Sequence, residues 1–314
     1  MENLVFSLNA TIPIFLLMVL GYVFRRTGLF SETLASGMNT FVFKIALPVL
    51  LFSDLAAVDF SEAWDTKFVL FCFCVTLLSI TLAAALSLVW KDRSVQGEFI
   101  QASYRSSAAL LGIAFITNIY GNAGMAPLMI IGSVPLYNIM AVVVLSVFHT
   151  ERRALGHAFI RSTLRSIVTN PILLGIVAGL LWSALHIPLP AILQKTTASL
   201  GSISTPMGLM AMGASFDPKK ALGQRKPAVT AAVIKLVGFC TVFLPLAVLL
   251  GFREEKLVAI LVMLGSATTV SSYVMARSMG HEGTLSASTV MLTTLFSAFT
   301  LTFWLWLLRS LGFI

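Results

Sequence analysis

The sequence predicts an all-α membrane protein. It reads as ten transmembrane helices in two five-helix inverted repeats, with helices 4 and 9 interrupted and crossing. Three observations predict this. Of 314 residues, 58% are hydrophobic and only 11% charged, with a mean hydropathy of +0.94; soluble domains carry about 25% charged residues. Ten apolar stretches are long enough to cross a hydrocarbon core of about 30 Å at about 1.5 Å per residue. Two of those stretches carry small and hydroxyl residues at mid-depth, in matching places of the two halves.

Taken in order, span 1 covers 4–24. Glu2 precedes it and Arg25-Arg26 follow, the charge order of a retained anchor with its N-terminus outside. Nothing there resembles a cleaved signal peptide. Spans 2 (35–57) and 3 (67–90) are joined by an acidic connection around Asp59, Glu62 and Asp65. Span 4 (98–120) carries Arg105, Ser106, Ser107, Ala108, Ala109 and Gly112, and span 5 (125–148) ends the first repeat, residues 1–148. The connection 149–165 is basic and reads as a cytoplasmic linker along the membrane surface. The second repeat, 166–314, holds spans 166–186, 190–214, 227–250, 257–279 and 285–308.

Alternate connections divide the basic residues unequally. Thirteen Lys and Arg fall on one side, among them Arg25, Lys91, Arg152, Lys219 and Arg225. Four (Lys67, Arg253, Lys256, Arg309) fall on the other. The basic side is cytoplasmic, so both termini are expected outside the cytoplasm. The net charge of +8 is therefore a topology signal and not a nucleic-acid signal. Cys72, Cys74 and Cys240 lie in apolar spans and read as buried thiols without a disulfide or metal framework. The four His sit at span ends or in loops with no ligand spacing. The connections are too short for a soluble enzyme domain.

Span 9 is the most informative. Its centre, Gly265 to Tyr273, reads GSATTVSSY and carries Ser266, Thr268, Thr269, Ser271 and Ser272. Two readings compete. Small residues let membrane helices pack closely; alternatively, the helix breaks and turns its free ends toward a solute. The internal repeat favours the second. Pro13 and Pro171, Gly21 and Gly179, and Pro48 and Pro206 are each 158 residues apart. An offset of five spans inverts the second copy and makes span 4 the counterpart of span 9. Paired interruptions in inverted halves point to a transport site near the midplane.

Charges inside spans are costly and tend to be functional. Arg105 lies about 12 Å into the bilayer, where it either organises a site or snorkels to the inner surface. Asp54 is near the outer end of span 2, and Lys195 reads as interfacial. Lys44 and Lys235 either pair with Asp54 or bind an anion; the sequence leaves both open.

The chain resembles the auxin efflux carrier family over nearly its whole length. The resemblance rests on NTFVFKIALPVLLF in span 2, YRSS…LGIAF…IYG in span 4, PLYN (Pro135 to Asn138), NPILL opening span 6, TPMGLMAMGASF in span 7 and TTVSSYVMARSMG in span 9. It implies the five-plus-five inverted-repeat fold of bile-acid/sodium symporters and sodium/proton antiporters. It also implies a scaffold domain from helices 1, 2, 6 and 7 that forms a homodimer, and a transport domain from helices 3–5 and 8–10 that moves as an elevator. The family's solutes are organic anions, and the short central connection resembles bacterial members, hence an inner membrane. The family's crossover prolines are replaced here by Ala114 and Ala267, and the neighbouring asparagines by Ser107 and Ser271.

The expected function is a secondary active transporter of a small organic anion, a carboxylate, by alternating access. The expected binding residues are Arg105, Ser106, Ser107, Gly112, Gly265, Thr268, Thr269, Ser271 and Ser272, with Lys44, Asp54 and Lys235 as coupling or ion-pair candidates. No cofactor or metal is expected; coupling to a proton or Na⁺ stays open. The other class is a channel or membrane-embedded sensor without alternating access. An intramembrane enzyme is disfavoured, because the Ser/Thr run has no His or paired Asp partner in mid-span.

Overall fold

The computed structural model describes residues 2–56, 64–108, 113–121, 124–148, 165, 168–185 and 187–314. Gly112 lies outside the described residues, as does the 149–165 linker except for Arg165. Among the described residues every regular element is helical. In chain order they are α1 (Glu2–Arg26), α2 (Glu32–Ala56), α3 (Thr66–Ser87), α4 (Arg93–Tyr104), α5 (Ile113–Tyr120) and α6 (Ala126–Val147). Then follow α7 (Pro171–Ala184), α8 (Ala191–Ser202), α9 (Ser204–Ser215), the short α10 (Pro218–Gly223) and α11 (Arg225–Leu249). The chain closes with α12 (Glu254–Gly265), α13 (Ser271–Ser278) and α14 (Thr284–Ser310). Five of these (α2, α3, α6, α11 and α14) are long and apolar enough to cross a membrane.

Local chemistry sets the helix starts. Asp92 Oδ1 accepts from Ser94 N at the start of α4. Asn170 does the same for Ile172 N ahead of Pro171, which sits at the first helical position of α7 where its missing N–H costs nothing. Asp65 caps α3 by accepting from Phe68 N, and its other oxygen meets Lys256 Nζ at 2.5 Å. The Lys256 ammonium, then the Phe68 N–H, hold the Asp65 carboxyl below the usual carboxylate range. This pair ties the start of α3 to the start of α12.

Packing divides the helices by chemistry. On α3 and α14, Leu70, Leu78, Phe299 and Trp306 are exposed apolar side chains facing away from the protein. By contrast, α12 is buried on every side from Leu257 to Gly265. A helix apolar all round belongs inside a bundle. Glycines bring α1 against α9 and α2 against α7. A Cβ on Gly21 would overlap the Met210 carbonyl oxygen, and one on Gly179 would lie 2.8 Å from the Phe52 carbonyl oxygen. Gly179 stands 158 residues after Gly21, and Met210 stands 158 after Phe52. One contact is thus repeated between corresponding positions.

Five segments depart from simple continuous spans. Span 4 is split into α4 and α5, and span 9 into α12 and α13. Span 7 is divided at Ile203 into α8 and α9. In α2 and α11 a single π-turn interrupts the α-helix, at Val42–Ala46 and Ile234–Gly238; each contains a lysine, Lys44 and Lys235. One expectation fails: Cys74 is exposed, whereas Cys72 and Cys240 are buried. Cys72 and Cys74 are two apart on α3 and so face different ways; one meets the core and the other the apolar outer face.

Candidate functional site

The two interruptions meet. α4 stops at Tyr104, and Arg105 turns extended with ψ 138°. α12 stops at Gly265, and Ser266 turns extended with ψ 162°. Ser107 N donates to Ala267 O across the gap at 2.9 Å. The Ser106 and Ser266 hydroxyls are 2.7 Å apart.

Breaking a helix at membrane depth frees backbone groups that no water can satisfy, so side chains must take their place. Here they do. Thr268 Oγ1 donates to Ala102 O at 2.8 Å, and Thr268 N donates to Thr293 Oγ1 at 3.0 Å. Gln101 Nε2 donates to Ser272 O at 2.9 Å. Lys235, fully buried, donates from Nζ to Leu264 O at 2.6 Å and to Met263 O at 3.3 Å. Its ammonium therefore sits at the carbonyl end of α12, the negative end of the helix dipole.

Beside the crossing is a cavity of about 60 Å³. The first break supplies Arg105, Ser106 and Ser107 to its wall; the second supplies Thr269 and Ser271. α6 adds Tyr137 and Asn138, α9 adds Ser204 and Thr205, and α2 adds Asp54 among leucines.

Arg105 dominates the electrostatics. It is 2% exposed, and among the described residues no carboxylate lies within ion-pair distance of it. Its Nη2 donates to Ser271 Oγ at 2.6 Å and to Asn138 Oδ1 at 2.9 Å. Nη1 points to Met275 Sδ at 2.8 Å, and Nε has no acceptor. Among the described residues every partner is neutral. A buried guanidinium held this way has its geometry fixed and its charge unmatched. Nearer the start of α2, Asn39 Nδ2 donates to Ser278 Oγ at 3.1 Å and to Val274 O at 3.5 Å, joining α2 to α13.

The structure thus brings Arg105, Ser106, Ser107, Thr269 and Ser271 to one cavity wall. Thr268 and Ser272 are buried behind it, and Gly265 packs with its Cα toward Cys240 Sγ. Asp54 lines the cavity and forms no ion pair among the described residues. Lys44 is exposed and Lys235 caps α12; among the described residues neither pairs with Asp54. Asn138, Tyr137, Ser204 and Thr205 were not expected in the site. The first two belong to the PLYN run, where an asparagine inside an apolar span was the available signal.

A family model described as "Membrane transport protein" matches residues 6–305. A curated protein named "Putative malonate transporter", from Rhizobium meliloti (strain 1021), is 26% identical over 312 residues, covering 95% of each chain. Among solved structures, the sodium proton antiporter of Methanocaldococcus jannaschii superposes with a TM-score of 0.64 at 14% identity. That match covers 95% of this chain and 97% of the other, a likeness of fold.

Proposed function

This chain belongs to the membrane transport protein family, which is auxin efflux carrier-like; from that premise we propose that it is a secondary carrier of a small carboxylate anion. The observation that carries the reading is Arg105: a buried cation with no carboxylate partner among the described residues, set on a cavity wall where two helices are broken. A solute carboxylate would supply the missing charge, and the Ser107, Thr269 and Ser271 hydroxyls its remaining hydrogen bonds. The name of the Rhizobium meliloti relative makes malonate the first solute to try.

The proposed mechanism is alternating access by an elevator movement. α1, α2, α7, α8 and α9, which pack on one another, would be the scaffold and the dimer-forming part. The remaining spans would carry the site. The repeated contact of Gly21 with Met210 and of Gly179 with Phe52 supports reading the halves 1–148 and 166–314 as inverted repeats. We place the protein in a bacterial inner membrane with both termini outside the cytoplasm, on the distribution of Lys and Arg.

Reconstitution into proteoliposomes tests the reading. Saturable malonate uptake that is stimulated by malonate preloaded inside is the expected result. Conductance far above carrier turnover would make the protein a channel, and no carboxylate flux from a panel of mono- and dicarboxylates would remove the proposal.

A further inference from the structure

We propose that the site binds its anion together with a proton, and that Asp54 holds that proton. This rests on the carrier reading above. Among the described residues the cavity wall has one cationic side chain, Arg105, and one carboxylate, Asp54, contributed by different helices. They do not pair: no ion pair or hydrogen bond of Asp54 occurs among the described residues. Among the described residues the wall therefore carries one charge of each sign, unpaired in geometry. A solute carboxylate entering next to Arg105 leaves Asp54 as a second anion on the wall of the same cavity. Like charges sharing a site cannot both stay ionised cheaply, so one of them takes up a proton.

Among the described residues the surroundings of Asp54 give it no other neutralising partner. α7, packed along α2, has no ionisable side chain. α8 contributes Lys195 and α2 itself Lys44, both exposed. α9 has no ionisable side chain. α13 carries Arg277, which donates to Glu282 O at the far end. Tyr137 faces the cavity and hydrogen-bonds toward Met263 O. Na⁺ fits less well as the partner ion: a hard cation takes several oxygen ligands, carboxylates among them, and among the described residues Asp54 is the one carboxylate on this wall and no cluster of three metal-ligating side chains occurs. A proton needs one carboxylate oxygen. On binding, a proton passes from water to an Asp54 Oδ; on release of the anion it returns to water. Charge is conserved, and the occupied site holds Arg105 and the solute carboxylate as a pair.

The sign follows by linkage. If binding takes up a proton, affinity weakens as pH rises above the pKa of Asp54 in the empty site, by at most tenfold per pH unit. The test is calorimetric titration of the full-length protein in nanodiscs with malonate at pH 7.5, in buffers of different ionisation enthalpy, which counts the protons bound. The native chain should take up protons, approaching one per malonate. Asp54→Asn should take up none and bind malonate about tenfold tighter at this pH, while Asp54→Glu keeps the uptake. If the asparagine variant does not fold, Asp54→Ser makes the same comparison. No proton uptake by the native chain, or equal uptake by native and Asp54→Asn, overturns the assignment and leaves the carrier reading standing. Absence of malonate binding by the native chain at any pH overturns the anion site itself, and this inference with it.

Discussion

At the scale of single residues, Arg105 and Lys235 show how differently two buried cations are used. Both are nearly or fully withdrawn from solvent. Lys235 spends its charge on backbone, donating to the Met263 and Leu264 carbonyls that the break leaves free. Arg105 meets a hydroxyl, an amide oxygen and a thioether, with Nε unused. Charge-assisted hydrogen bonds to a carboxylate contribute about 1.5–3 kcal/mol, so losing them weakens binding by roughly 10- to 100-fold. Arg105→Ala is expected to reduce carboxylate uptake at least that much with the protein still folded. Arg105→Lys should recover part of it, because an ammonium lacks the planar fork. Uptake assays on equal amounts of reconstituted protein decide the matter. Native KM and turnover in the alanine variant would make Arg105 a structural residue only.

At the scale of the helical elements, the question is how the crossing helices stay broken without proline. Side chains do it. The free groups of α12 and α4 are taken by Lys235, Thr293 and Thr268, and the two breaks bond directly through Ser107 N and Ala267 O. Ala267 N donates no hydrogen bond to the described residues. Ser266 before it is already extended, the conformation that a following proline requires. Ala267→Pro is therefore expected to keep both fold and uptake. In a regular helix interior the same change costs about 3 kcal/mol or more, and a collapsed melting temperature would show that the break is not kept by these contacts.

Gly265 behaves differently. A Cβ there would stand 2.8 Å from Cys240 Sγ, so Gly265→Leu should lower the yield of folded protein by overpacking, not by filling the cavity. Size-exclusion and thermal stability measurements distinguish this from loss of solute binding. A well-folded Gly265→Leu that fails to transport would put Gly265 in the site after all.

At the scale of the whole molecule, two close helix pairs, α1 with α9 and α2 with α7, hold one group together through glycines. Gly21→Val and Gly179→Val add bulk at corresponding positions, and both are expected to destabilise the protein by about 1–3 kcal/mol, as overpacking does. Thermal melts in detergent measure it; one tolerated and one destructive change would break the correspondence. Topology is a second test at this scale. His157→Cys, in the central connection outside the described residues, should resist an impermeant thiol reagent in intact cells and react after permeabilisation. Labelling from outside would reverse the proposed orientation.

The sequence by itself determined the membrane class, through composition, and the positions of both breaks, through runs of small and hydroxyl residues in otherwise apolar spans. Those are local signals: each depends on residues adjacent in the chain, and hydropathy needs no partner to be read. It also singled out Arg105, since a mid-span guanidinium is conspicuous against apolar neighbours. It could not assign Lys235 or separate Gly265, Thr268 and Ser272 from the cavity wall. Nor did it bring Asn138, Ser204 and Thr205 to that wall. Those assignments depend on which face of a helix meets which neighbour across separations of tens to more than a hundred residues. Only the packed bundle decides that, because in a membrane a polar side chain goes wherever another segment offers it a partner.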